Sequence, residues 1–240
     1  MNIESHRPER DVLTDPSLRL RAAKHAALAD PARLAIVDAL WLGDLSPSQL
    51  QRLVSMSSNL LAHHLKVLQD AGFVTRRRSD GDHRRTYLRL VRSAAADLLP
   101  GPRPAAPSTT AVGRVVFVCT ANTARSQLAE ALWRRTGVTP AASAGTHPVD
   151  RVDPAAIATA RRHSLPLRDR KPQPIDEVLE GGDLIVTVCD CAREELQITP
   201  LAHWSIPDPV PVGTEAAFDA VFDQLSARVD DLAQYLASSN

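Results

Sequence analysis

Hydrophobic positions change their period along the chain. From Ser17 to Ala29 apolar residues recur at helical spacing, and Asp30-Pro31 supplies an N-cap and first-turn proline for a helix from Ala32 to Leu42. Ser46-Pro47 repeats that start signal for a short helix ending near Val54. Ser57 or Ser58 opens another over Asn59 to Asp70, where Leu61, Leu65 and Leu68 form one apolar stripe while Ser58, Asn59, Ala62, His63 and Lys66 lie off it. The period then falls to two, and residues 73–78 and 84–90 read as strands about a turn over 79–83. A helix over 93–99 follows. Beyond residue 113 strand and helix signals alternate: strand 114–118, helix 126–136, strand 141–144, helices 154–163 and 175–179, strand 183–188, a turn or short helix from Ala192, strand 203–206, and a long helix 214–237.

These patterns predict two domains. Residues 1–99 read as a mainly α winged helix-turn-helix, because the two short helices are joined by Ser55-Met56-Ser57 and followed by a hairpin. Residues 114–240 read as an α/β domain with a parallel sheet covered on both faces. Between them Pro100, Pro102, Pro104 and Pro107 make residues 100–113 an extended, stiff linker.

Charge sharpens the division. The 28 basic and 28 acidic residues cancel overall, yet residues 1–99 carry 15 basic against 11 acidic, and residues 112–240 carry 12 against 17. A polyanion partner is therefore expected for the first half only. The hairpin is flanked by Arg76, Arg77, Arg78, Arg84 and Arg85, placed as a wing on a phosphate backbone, and Ser58, Asn59, His63 and Lys66 are the candidate groove contacts of the preceding helix. No apolar run approaches membrane length and the first residues lack a signal-peptide core, so a cytoplasmic protein without a membrane partner is expected. Three cysteines do not make a disulfide framework.

Residues 28–34 (Leu-Ala-Asp-Pro-Ala-Arg-Leu), the helix Leu60 to Leu68 and the wing together resemble the ArsR family of winged helix-turn-helix repressors. The resemblance implies a homodimer, formed through this domain, on a palindromic double-stranded operator. The cysteines through which many such repressors sense metals are missing from residues 44–50, and His63 and His64, being adjacent, face different directions; no metal site is expected.

The chemistry is expected at Val115-Val116-Phe117-Val118-Cys119-Thr120-Ala121-Asn122-Thr123-Ala124-Arg125-Ser126. A strand, a loop and a helix start place converging N–H groups and Arg125 around a tetrahedral anion, with Cys119 as a sulfur nucleophile and Ser126 placed to donate to it. Ligands of parallel sheets bind at the carboxyl ends of strands, which brings Cys119, Cys189 and Asp208 together. Asp208 stands between Pro207 and Pro209, in a turn from which a carboxylic acid could protonate a leaving oxygen.

The loop, with Ser143-Ala144-Gly145-Thr146 and Ser205-Ile206-Pro207-Asp208-Pro209, resembles the low-molecular-weight protein tyrosine phosphatase fold, which includes thioredoxin-coupled arsenate reductases. By that resemblance Cys119 is the nucleophile, Arg125 the oxyanion clamp, Ser126 the thiolate stabiliser, Asn122 the loop-shaping residue and Asp208 the general acid; Thr120 and Thr123 join the oxyanion-binding and loop-shaping set. Val210 stands where phosphotyrosine enzymes of this fold carry an aromatic residue, and Cys189 resembles the second cysteine of the reductases. The expected activity is reduction of arsenate to arsenite, with no bound cofactor and an external thiol reductant, thioredoxin or a low-molecular-weight thiol. A phosphatase using only Cys119, Arg125 and Asp208, and a non-catalytic oxyanion or redox sensor, are the alternatives. Cys191 is either a redox relay, bypassed by an external thiol, or inert; a disulfide to Cys189 across one residue would be strained.

Overall fold

The structure, a computed structural model, describes residues 16–95, 113–167 and 171–237. The helix expected to reach residue 99 and the proline-rich stretch fall largely outside these residues. The first half opens with α1 (Pro16–Leu28), α2 (Pro31–Ala39), α3 (Pro47–Val54) and α4 (Ser58–Asp70). Each start after α1 is chemically specified: the Asp30 carboxylate accepts from the Arg33 N–H, Ser46 and Gln49 form a capping box, and the Ser57 hydroxyl accepts from the Leu60 N–H. The chain between α3 and α4 turns through Ser55 in the left-handed region (φ 50°). The antiparallel pair β1 (Val74–Arg78) and β2 (Thr86–Leu90) forms the wing, and α5 (Arg92–Ala95) follows. Leu50, Leu65, Leu68, Phe73 and Leu88 are buried in one apolar cluster that holds these elements together.

The second half comprises β3 (Val115–Cys119), α6 (Arg125–Thr136), β4 (Ala141–Gly145), α7 (Pro154–Arg162), α8 (Ile175–Val178), β5 (Leu184–Thr187), α9 (Asp190–Glu195), β6 (Ala202–His203) and α10 (Glu215–Ala237). The four strands are parallel in the order β4-β3-β5-β6. Every residue of β3 is buried. Since successive side chains point to opposite faces, both faces of the sheet are covered. The long helix α10 buries Phe218, Val221, Phe222, Leu225, Val229 and Leu232 as the 3.6-residue pattern predicts. Among the described residues no helix is long and apolar enough to cross a membrane.

Several element ends differ from the sequence reading by one to three residues. The second helix stops at Ala39, three residues early. The last strand is only Ala202–His203, because Ser205 turns its N–H to Asp44 Oδ2 (2.9 Å) instead of to a neighbouring strand. The helix after Cys189 starts at Asp190, because the Cys189 sulfur itself caps it, accepting from the Ala192 N–H at 3.4 Å.

The two halves meet through buried polar contacts. Asp44 is 2 % exposed and receives Arg228 Nη2 at 2.7 and 2.9 Å, and Trp204 Nε1 donates to the Leu42 carbonyl (3.0 Å). Gly43 is required here: a Cβ would stand 2.6 Å from the His203 carbonyl oxygen.

Candidate active site

Cys119 ends β3, and the chain from Thr120 to Ala124 curls beneath it before α6 begins at Arg125. Two donors aim at the sulfur: Ser126 Oγ lies 3.0 Å from Sγ, and the Asn122 N–H donates at 3.2 Å. Donors so placed favour negative charge on a sulfur, the form in which cysteines act as nucleophiles. Asn122 adopts φ 50°, and its side chain locks the loop: Nδ2 donates to Ser126 Oγ (2.8 Å), while Oδ1 accepts from the Gln173 N–H (3.0 Å) and Gln127 Nε2 (3.1 Å). A Cβ at Gly145 would fall 2.6 Å from the Thr120 carbonyl oxygen, so β4 must present glycine beside the loop. Gln127 and Gln173 do not stand out in the sequence, since only the folded chain carries residue 173 to residue 122.

Arg125 is buried and turned toward the end of the sheet. Its Nη1 donates to the Ile206 carbonyl (3.1 Å) and its Nη2 to Asp208 Oδ2 (2.7 Å). Burial alone would lower its pKa, but the Cys189 and Cys119 sulfurs and Asp208 together hold it above the ordinary arginine value. Asp208 is more open, and its other oxygen accepts from the Val210 N–H (3.2 Å). The guanidinium thus holds a carboxylate oxygen through Nη2. Val210 itself is exposed and offers no ring to a substrate.

Cys189 is buried at the same strand ends, its sulfur 3.4 Å from the Thr120 hydroxyl. Burial, reinforced by Cys119 and only partly opposed by Arg125, pushes its thiol up to about 12. Cys191 lies in the first turn of α9. Burial raises its pKa as well, and Asp190, Glu194 and Glu195 add to the effect against Arg125. Thr123 does not face this cluster: its hydroxyl donates to the Arg151 carbonyl at 3.1 Å, which ties down the loop. Among the described residues no group of three His, Cys, Asp or Glu side chains is arranged to hold a metal ion.

The sequence profile of the low molecular weight phosphotyrosine protein phosphatases matches residues 114–240. The chain belongs to that family. A helix-turn-helix domain profile matches residues 28–77, which span α2 to α4 and the start of β1. An arsenate reductase of Bacillus cereus is 33% identical over 129 residues, covering 50% of this chain and 93% of that protein. An arsenate reductase of Brevibacillus brevis is 31% identical over 128 residues, again 50% and 93%. The crystal structure of the arsenate reductase from Archaeoglobus fulgidus is 34% identical, covers 50% of this chain and 98% of its own, and has a TM-score of 0.45.

In the helix-turn-helix half, Ser58, Asn59, His63 and Lys66 share the exposed side of α4, while His64 turns into the domain, 3.8 Å from Asp30. Arg76, Arg78, Arg84 and Arg85 are exposed. Arg77 departs from the expected phosphate-contacting set. Its side chain points into the molecule, with Nη1 on Asp190 Oδ2 (2.8 Å) and Ser205 Oγ (2.6 Å), because β1 alternates its faces and this position meets the catalytic half.

Proposed function

We propose that the chain is a DNA-binding regulator joined to an arsenate reductase, with residues 1–99 as the winged helix-turn-helix unit, 100–113 as the linker and 114–240 as the reductase. The observation that carries this reading is the burial of Cys189 beside the Cys119 loop, its sulfur against the hydroxyl of Thr120, the residue that follows Cys119. A phosphatase needs one thiolate, whereas a reductase needs a second thiol to supply electrons.

The oxyanion displaces Asp208 from Arg125, which then holds two of its oxygens. The Cys119 thiolate attacks arsenic(V), forming an As–S bond, and an arsenic-bound hydroxyl leaves as water with a proton that Asp208, freed from Arg125, has taken up from the incoming dihydrogen arsenate. Cys189, once deprotonated, attacks the Cys119 sulfur. The S–S bond forms, the As–S electron pair stays on arsenic, and arsenite departs as As(III). An external thiol, thioredoxin-like or small, then reduces the Cys119–Cys189 disulfide. Cys191 takes no step: the external thiol resolves the Cys119–Cys189 disulfide, and a disulfide between Cys191 and Cys189 across one residue would be strained. The aliphatic, exposed Val210 also supports a small anion over an aryl phosphate.

The regulator half is proposed to bind a palindromic operator in the cytoplasm as a homodimer; exposed Leu20 and Leu34 leave apolar surface on α1 and α2 for a second copy. The deciding experiment is thiol-coupled arsenate turnover run beside hydrolysis of an aryl phosphate. Cys119→Ser should abolish both activities, and Cys189→Ser only the reduction. Arsenate reduction at the full rate in Cys189→Ser would overturn the disulfide step. The phosphatase reading, which Arg125 and Asp208 also suit, would be favoured by hydrolysis without any arsenate turnover.

A further inference from the structure

The wing does not stand free of the catalytic half. Asp80 N–H donates to Asp190 Oδ2 and Asp82 N–H to Glu194 Oε2, both at 2.8 Å; Ser79 Oγ donates to Glu194 Oε1 (2.7 Å), as does Tyr87 Oη (3.2 Å). At Gly81 a Cβ would lie 3.2 Å from the Cys191 backbone, so wing and helix are in direct contact. These four hydrogen bonds place α9 against the wing, so outward side chains of α9 lie beside the wing's own surface.

One of those side chains is Arg193. With Arg52 of α3 and Arg84 and Arg85 of the wing it lines an open groove of about 550 Å³ that contains no acidic residue. Arg84 and Arg85 share the single carboxylate of Asp82, while neither Arg52 nor Arg193 appears in any ion pair of the described residues. One carboxylate against four guanidinium groups leaves the groove a net positive charge, which favours an anion there. The groove runs between the first helix of the helix-turn-helix and the wing, two elements that lie along the phosphate backbone when the second helix enters the major groove. We propose that Arg193, on the catalytic half, completes a phosphate-backbone site for double-stranded DNA together with Arg52, Arg84 and Arg85.

The proposal rests on the DNA-binding reading of residues 1–99. Its consequence is that the helix capped by Cys189 belongs to both the reductase and the DNA interface. The test is binding of the full chain to a fluorescent mixed-sequence DNA duplex across a salt series, with arsenate turnover measured in parallel. Arg193→Gln should make the slope of log affinity against log salt shallower by about 0.9, the value for one phosphate, so that the affinity lost over a fourfold rise in salt shrinks by about 3-fold. Arg193→Glu should weaken binding further, and turnover should be unchanged in both. A slope that responds to Arg84→Gln but not to Arg193→Gln would overturn this contact and leave the DNA reading intact. No duplex binding by the unsubstituted chain would overturn both.

Discussion

Replacing Asp190 with asparagine tests whether charge holds the wing to the catalytic half. The Asp190 side chain is fully buried, receives Arg77 Nη1 and the Asp80 N–H, and lies 3.3 Å from His203 Nε2. Burial works against its charge, but His203, the Asp80 N–H and Ser205 overcome it and hold the carboxyl at about 2, below its ordinary 3.8. At about 1.4 kcal/mol per pKa unit, that depression stabilises the folded chain by about 2.5 kcal/mol at neutral pH. Removing one member of a buried ion pair costs about 3–5 kcal/mol, and Arg77 would keep Ser205 and Asp80, which sets the expected loss near the lower end, about 3 kcal/mol. The sign follows from the direction of the shift. Stability from a depressed carboxylate is present above the unfolded value of 3.8 and is lost as the pH falls toward 2. Urea unfolding can be followed by tryptophan fluorescence, because Trp204 is buried at the junction. Asp190→Asn should be less stable by about 3 kcal/mol at neutral pH, the gap closing between about pH 4 and pH 2. Equal stability at neutral pH, or a gap that ignores acid, would refute the reasoning.

Other consequences are as direct. Asp208→Asn should release Arg125 and tighten inhibition by inorganic phosphate about 5-fold, the worth of a half-exposed charged contact of about 1 kcal/mol, while turnover falls; unchanged inhibition would show that the pair does not compete with the anion. Asn122→Ala removes three side-chain hydrogen bonds and places alanine at φ 50°, so it should cost about 2–4 kcal/mol in unfolding experiments and slow alkylation of Cys119; a loss below about 1 kcal/mol would mean the loop shapes itself. Because the Cys189 thiol is raised to about 12, single-turnover disulfide formation should accelerate about tenfold per pH unit above neutrality, and a flat profile would assign the attack to another thiol. Gly81→Ala should destabilise the chain by about 1–3 kcal/mol, read from the same urea curves, by forcing the wing off Cys191 and Glu194; no change would mean the contact is loose.

Much of this protein is local and was therefore open to sequence reasoning. The apolar run before Cys119, the caps at Asp30, Ser46 and Ser57, and the stripe of Leu61, Leu65 and Leu68 depend on neighbours within one or two turns. The strand-end rule likewise brought Cys119, Cys189 and Asp208 to one side of the sheet, since parallel strands place their following loops together. Gln173, which braces Asn122 from fifty-one positions away, left no such trace.

Residue type and spacing thus determined the elements, the cysteine loop between β3 and α6 and the basic hairpin. Tertiary structure alone decided how they are used. Arg77 looks like its neighbours Arg76 and Arg78 in the chain, yet it meets Asp190 and Ser205, more than a hundred residues on, and leaves the phosphate-facing set. Arg193, unremarkable beside Cys191, becomes a neighbour of Arg52 and Arg84. Periodicity reports which face of an element is buried; what that face meets depends on how two separately formed cores dock, and no local pattern encodes that.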